Sequence, residues 1–180
     1  MRSTSPSESS RRGSAVADER LTLELDTRRG EPVRVEWDLA ALAGVGAPEP
    51  SERPFTIEGG FEASRWDLAR VLSGAFADGR LLAVAALRPT DARGHGEEEI
   101  AGALVRDGEA AMLDEVLLSV EYGPDREPRR LGLEVYERPD SLPLRIAGDR
   151  SGPSKPDDAR FELRSDGVEG AGSLVVLRPS

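Results

Sequence analysis

The chain has 180 residues, no cysteine and a formal net charge of -10. This length suits one domain, or one domain with tails, and it allows a hydrophobic core large enough to be stable without disulfide bonds. The absence of cysteine excludes disulfides, thiolate zinc sites and cysteine nucleophiles. The acidic balance, without a basic stripe, argues against nucleic acid and anionic membranes as partners.

The first 19 residues predict a disordered tail, because they are rich in Ser and Arg and offer little to bury. Residues 1–14 lack the apolar core of a signal peptide. No run in the chain approaches the roughly 18 apolar residues of a membrane helix. We therefore expect a cytoplasmic protein without membrane insertion, in which residues 20–180 form a single β-domain.

Alternating apolar and polar residues predict strands along most of this domain. Residues 21–25 and 33–37 alternate strictly and indicate an opening hairpin. A loop with at most one helical turn follows, and residues 55–58 then predict a short strand. Further strands are predicted at residues 81–87, 100–105, 112–122, 131–135, 142–146, 161–165 and 168–177. Pro143 indicates that the strand at 142–146 is an edge strand.

Residues 64–77 permit two interpretations. Ser64 and Asp67 have the spacing of a helix capping box. One helical face would hold Leu68, Val71, Leu72 and Phe76. The turn at 77–80, which leads into the strand at 81–87, instead predicts a β-hairpin. The residues alone leave both structures open.

Three Asp-Gly pairs separate the predicted strands, at residues 78–79, 107–108 and 166–167. Asp-Gly fits a two-residue type I′ turn, in which both central residues take positive φ. Three such turns indicate an antiparallel meander. The chain is therefore predicted to be all-β, an antiparallel meander that closes into a barrel or a β-sandwich with at most one short helix.

His95 is the only histidine, and three glutamates follow it at residues 97–99. It is a candidate general base or metal ligand. However, three consecutive carboxylates do not all face one ion, and one histidine gives no His-His spacing for zinc. We therefore favour an exposed loop residue and expect no metal and no cofactor.

The two tryptophans, Trp37 and Trp66, stand out because only 4% of the residues are aromatic. Each large ring is expected to anchor the core or to line a ligand pocket. The residues alone favour the core role, with a barrel pocket as the minority interpretation.

The order of turns and strands from residue 55 onward has a recognisable layout. A Gly-containing strand end precedes Trp66, and Asp-Gly turns lie within residues 76–82, 104–109 and 160–170. A strand at 116–122 is followed by the turn Gly-Pro-Asp at 123–125. This layout resembles the C-terminal half of a lipocalin-like family, that of carotenoid 1,2-hydratase (hydroxyneurosporene synthase) and its AttH-like relatives. The resemblance implies a lipocalin-like barrel and a hairpin, not a helix, at residues 69–88.

The polar signature of that family is degenerate in this chain. The family reads Arg-Asp-His-Ser-Trp-Gly where residues 62–67 read Glu-Ala-Ser-Arg-Trp-Asp. Trp66 alone is retained, and the Asp and His that could move protons are missing. The chain is also shorter than is usual in the family. The resemblance therefore implies a binding fold more directly than it implies catalysis.

Three functions are expected from these observations. The favoured one is a non-catalytic domain that binds an apolar small molecule of the isoprenoid or lipid class, with Trp66 and Trp37 at the ligand. The second is a hydratase-like or cyclase-like enzyme, whose acid would be Glu62, Asp67 or His95. The third is a protein-interaction scaffold with a filled core and an exposed apolar patch.

Overall fold

The computed structural model describes residues 19–25, 30–47, 53–93, 97–153 and 155–180. Apart from Glu19, the predicted N-terminal tail lies outside the described residues. The described part contains twelve strands and one short helix, α1 (Leu39–Ala43). The strands are β1 (Arg20–Leu25), β2 (Val33–Asp38), β3 (Phe55–Gly59), β4 (Trp66–Phe76), β5 (Leu81–Pro89), β6 (Glu99–Arg106), β7 (Glu109–Met112), β8 (Glu115–Tyr122), β9 (Pro128–Tyr136), β10 (Leu144–Arg150), β11 (Asp158–Ser165) and β12 (Val168–Leu177). The all-β prediction is confirmed.

The first three strands form a small antiparallel sheet in the order β1-β2-β3. The predicted opening hairpin is confirmed by the pairing of Leu23 with Val35. Strict alternation buries one face of this sheet and leaves the other in solvent. Helix α1 begins directly after β2, because the Asp38 carboxylate accepts a hydrogen bond from Ala41 N at 3.0 Å.

The remaining nine strands form a sheet that curls until its two edges meet, and we call this curled sheet the barrel. Its order is β7-β6-β5-β4-β12-β11-β10-β9-β8, with antiparallel neighbours throughout. The edge strands β7 and β8 are consecutive in the chain. Between them, Leu113 N donates to Gly102 O of β6 at 2.9 Å, and Asp114 N donates to Tyr136 O of β9 at 2.7 Å. One bent segment therefore pairs with β6 first and with β9 afterwards.

The barrel sheet separates two cores, one on each face. In β5, Leu82 and Val84 belong to the interior core, whereas Ala83 and Ala85 belong to the core shared with the three-stranded sheet. Both faces of β5 are thus buried, which explains its uninterrupted apolar run. The small sheet β1-β3 covers the outside of the barrel over β4, β5 and β6.

The barrel interior is packed with side chains from all parts of the sheet. Leu163 of β11 lies against three strands, since a Cβ added at Gly74, Gly148 or Gly172 would lie 3.0, 2.9 or 2.8 Å from one of its methyl groups. Bare backbone at these glycines gives the leucine its space. The buried interior residues are Leu72, Phe76, Leu82, Val84, Leu104, Val116, Leu131, Leu133, Val135, Ile146, Ala159, Phe161, Leu163 and Leu174.

Two of the three Asp-Gly turns have the predicted dihedral angles. Asp107 and Gly108 both have positive φ (52° and 76°), and so do the residues of the pair at 166–167. The type I′ prediction is wrong for the pair at 78–79, where Gly79 alone has positive φ, at 90°. There four residues, 77–80, separate the two strands, whereas two residues separate the strands at each of the other turns. Gly79 N donates to Phe76 O at 3.0 Å, and the Asp78 carboxylate accepts from Arg80 N at 3.2 Å.

The structure settles the two interpretations of residues 64–77 in favour of the hairpin. Strand β4 runs from Trp66 to Phe76 and pairs with β5 and β12. The edge-strand prediction for residues 142–146 is wrong. Pro143 precedes β10, which begins at Leu144 and pairs with both β9 and β11, so the proline removes no sheet hydrogen bond.

Candidate functional site

Trp37 lies in the core between the small sheet and the barrel. Its ring is fully buried, and its centroid is 6.0 Å from that of Phe55. Nε1 donates a hydrogen bond to the hydroxyl of Ser73 in β4 at 2.9 Å. A buried indole with a satisfied N–H stabilises the packing of two sheets and leaves no polar group for a ligand.

Trp66 lies in the same core, at the start of β4, and is 4% exposed. Nε1 donates to Gly60 O at 3.0 Å, and the guanidinium of Arg65 lies 5.6 Å from the ring centroid. Arg65 also donates to Glu31 O at 2.8 Å. Hydrogen bonds of Arg65 and Trp66 thus join the start of β4 to segments that flank strands of the small sheet.

Two of the three acid-base candidates, Glu62 and Asp67, are among the described residues, and both are exposed. Glu62 is exposed, and its backbone carbonyl accepts hydrogen bonds from Arg65 N and Trp66 N at 3.0 and 2.9 Å. Asp67 is exposed on β4, 3.8 Å from a guanidinium nitrogen of Arg178. His95 lies outside the described residues.

A cleft with a volume of about 770 Å³ lies between the start of β6 and the edge strand β8. Within the described residues, β8 pairs with β9 alone. No backbone hydrogen bonds therefore join β8 to residues 99–101, the first residues of β6. Residues of both faces of β8 reach the cleft, because it lies along the unpaired edge of that strand. Its walls are formed by Glu98, Ile100, Asp114, Glu115, Val116, Leu117, Leu118, Ser119, Gly132, Leu133, Glu134, Arg145, Ile146, Ala147 and Arg164.

The cleft combines interior apolar side chains with charged side chains. Val116, Leu133 and Ile146 belong to the buried interior cluster, and Leu117 is 48% exposed. Four carboxylates and two guanidinium groups lie on the walls. Two of these charges form an ion pair, with Arg145 Nε 3.4 Å from Glu134 Oε1. An apolar molecule that carries a few polar atoms fits such a surface.

A buried ion pair lies beside this cleft, and sequence reasoning missed it. Glu98 lines the cleft and pairs with Arg70 of β4, and the two side chains are only 2% and 7% exposed. The sequence does contain a signal. Arg70 stands between Ala69 and Val71 in a strand whose other residues are mostly apolar, and a charged residue in such a run is rarely buried without a partner.

No helix in the described part of the chain is long and apolar enough to cross a membrane. Within the same residues, no three His, Asp or Glu side chains converge as a metal site. No protein-family model and no curated protein sequence matches this chain. The resemblance of its layout to the carotenoid 1,2-hydratase family therefore stays a prediction.

Proposed function

We propose that the chain is a non-catalytic, lipocalin-like domain that binds an apolar small molecule in the cleft between β6 and β8. The observation that carries this proposal is the cleft itself, whose walls include side chains of the barrel core. Its volume of about 770 Å³ falls within the usual range for small-molecule sites. The resemblance favours an isoprenoid or a lipid as the ligand.

We place the ligand in the cleft between β6 and β8 and not at the centre of the barrel. Leu163 packs against backbone at Gly74 and Gly172, so a ligand at that level would have to displace the core. The predicted ligand contacts of Trp37 and Trp66 are not part of the proposal, because both N–H groups are bonded in the other core.

A protein-interaction scaffold is the second candidate, and a different observation favours it. Three large apolar side chains are exposed along the bent segment that closes the barrel: Met112, Leu117 and Tyr122, at 38%, 48% and 46%. Exposed apolar side chains in one segment are typical of interaction surfaces. Under this alternative, the packed interior would serve rigidity only.

The hydratase-like or cyclase-like alternative has a direct test of its own. Glu62 and Asp67 are exposed and do not lie at the cleft. A variant in which Glu62, Asp67 and His95 are all replaced by alanine is expected to bind apolar ligands as the original chain does. Conversion of a bound alkene by the original chain and not by this variant would support an enzyme.

Native mass spectrometry of the full chain, with an organic extract in parallel, tests the proposal. A co-purifying apolar species of defined mass is expected, or saturable binding of the apolar fluorophore diphenylhexatriene. Leu118→Trp should block this binding, because Leu118 is a half-buried cleft residue that packs against the interior core. Leu142→Trp is the matched control, an exposed leucine outside the cleft. Binding that neither variant changes would contradict the proposed location.

A further inference from the structure

The buried ion pair beside the cleft lies on the interior side of the barrel sheet, where Glu98 lines the cleft and Arg70 lies behind it, off the cleft wall. Arg70 lies two residues before Leu72, on the face of β4 that contributes to the interior core. The strand register places Ala86 of β5 and then Ile100 of β6 beside it on the same face. Alanine at position 86 leaves the guanidinium room to lie across β5 and reach Glu98, which lines the cleft.

Arg70 has a hydrogen-bond donor that the described residues do not use. Nη2 donates to Glu98 Oε2, whereas Nε is buried and has no hydrogen-bond partner there. The residue is 6% exposed. Leaving a buried donor of a charged group unpaired costs free energy, so a ligand whose polar end inserts past Glu98 and supplies an acceptor recovers part of it.

We propose that Arg70 anchors a neutral oxygen acceptor, such as a ketone or ester carbonyl, of the apolar molecule that binds in the cleft. This inference rests on the proposed function and specifies its ligand class. Neutrality follows from charge, because Glu98 already compensates Arg70 and a ligand carboxylate would add an unpaired negative charge beside it. Asp114 and Glu115 on the cleft wall add further repulsion of an anion.

Displacement of diphenylhexatriene from the full chain by three matched probes tests this proposal. The probes are dodecane, 2-dodecanone and dodecanoate, which share one chain length and differ in their polar group. We expect 2-dodecanone to bind about tenfold more tightly than dodecane, the ratio that one hydrogen bond to a charged donor supports. Dodecanoate should bind more weakly than 2-dodecanone. Equal binding of dodecane and 2-dodecanone, or a preference for dodecanoate, would overturn the inference.

Two variants distinguish a role of Arg70 in ligand binding from a role in the stability of the fold. Arg70→Lys keeps the positive charge beside Glu98 and removes Nε. The double change Arg70→Met with Glu98→Leu replaces the pair by apolar groups, an exchange that buried ion pairs often tolerate. Both variants should bind dodecane as the original chain does and lose the preference for 2-dodecanone. A preference that persists in both would exclude Arg70, whereas an original chain that binds none of the probes would refute the proposed function as well.

Discussion

Trp37 donates its indole N–H to the hydroxyl of Ser73 at 2.9 Å, and this bond joins the small sheet to the outer face of the barrel. Both side chains are fully buried, in a core made otherwise of apolar groups. Ser73 lies in the middle of β4, so the bond fixes where β2 lies across that strand. The largest fully buried side chain in the described part of the chain is thereby held by a hydrogen bond as well as by packing.

Ser73→Ala is expected to destabilise the fold by about 1–3 kcal/mol, because the buried N–H of Trp37 would lose its acceptor. Ser165→Ala is the matched control. Ser165 is also buried, but its hydroxyl has no hydrogen-bond partner among the described residues, so its removal should be neutral or stabilising. Urea denaturation of both variants measures the difference. Equal losses of stability would contradict a specific role of the Trp37 bond.

Gly74→Ala should destabilise the barrel by about 1–3 kcal/mol, because the new Cβ would lie 3.0 Å from Cδ1 of Leu163. Leu163→Val alone should also be destabilising, since it removes a methylene group from the core. In the double variant the shorter side chain makes room for the new methyl group. The combined loss in urea denaturation should therefore be smaller than the sum of the single losses, and strict additivity would show that the two positions do not interact.

The strands of the meander could be predicted from the sequence where one face of a strand is buried and the other is solvated. Residues 21–25 and 131–135 alternate for that reason. Strand β4 could not be separated from a helix, because its residues are buried on both faces. Val71 packs toward the small sheet and Leu72 toward the barrel interior, so adjacent apolar residues hide the two-residue period.

The candidate site could not be predicted, because it depends on where the barrel edges meet. The chain changes its partner strand from β6 to β9 at Leu113 and Asp114, and no local sequence pattern marks this change. Glu98 is the middle one of three consecutive glutamates, a pattern typical of a solvated segment, yet its side chain is 2% exposed. Its partner Arg70 is 28 residues away in the chain, so only the assembled sheet brings the two together.

Trp66→Ala should destabilise the fold by about 3–5 kcal/mol, because it empties a buried position in the core between the two sheets. Binding of an apolar ligand by the variant that remains folded should be unchanged, since the ring does not line the cleft. Trp66→Phe serves as the control for the hydrogen bond to Gly60, and its loss of stability should be smaller. Reduced affinity at unchanged stability would instead place Trp66 at the ligand.

Asp78→Asn tests an electrostatic contact in the turn between β4 and β5. Desolvation acts to raise the pKa of Asp78, but hydrogen bonds from the backbone N–H and guanidinium of Arg80 outweigh it and lower the pKa below its usual value. A carboxylate with a lowered pKa in the folded state adds stability above its unfolded-state pKa of about 3.9. That stability is lost as the pH falls through the lower folded-state value.

The asparagine variant should therefore be less stable than the original chain at neutral pH, and the two stabilities should converge as the pH falls below the folded-state pKa. Thermal unfolding at several pH values measures this, and high salt should reduce the difference, because the Asp78 side chain is 38% exposed. Asp107→Asn is the control, because Asp107 also precedes a glycine in a hairpin turn. There both residues of the Asp-Gly pair have positive φ. A constant difference between Asp78→Asn and the original chain at every pH would assign the effect to turn geometry and not to charge.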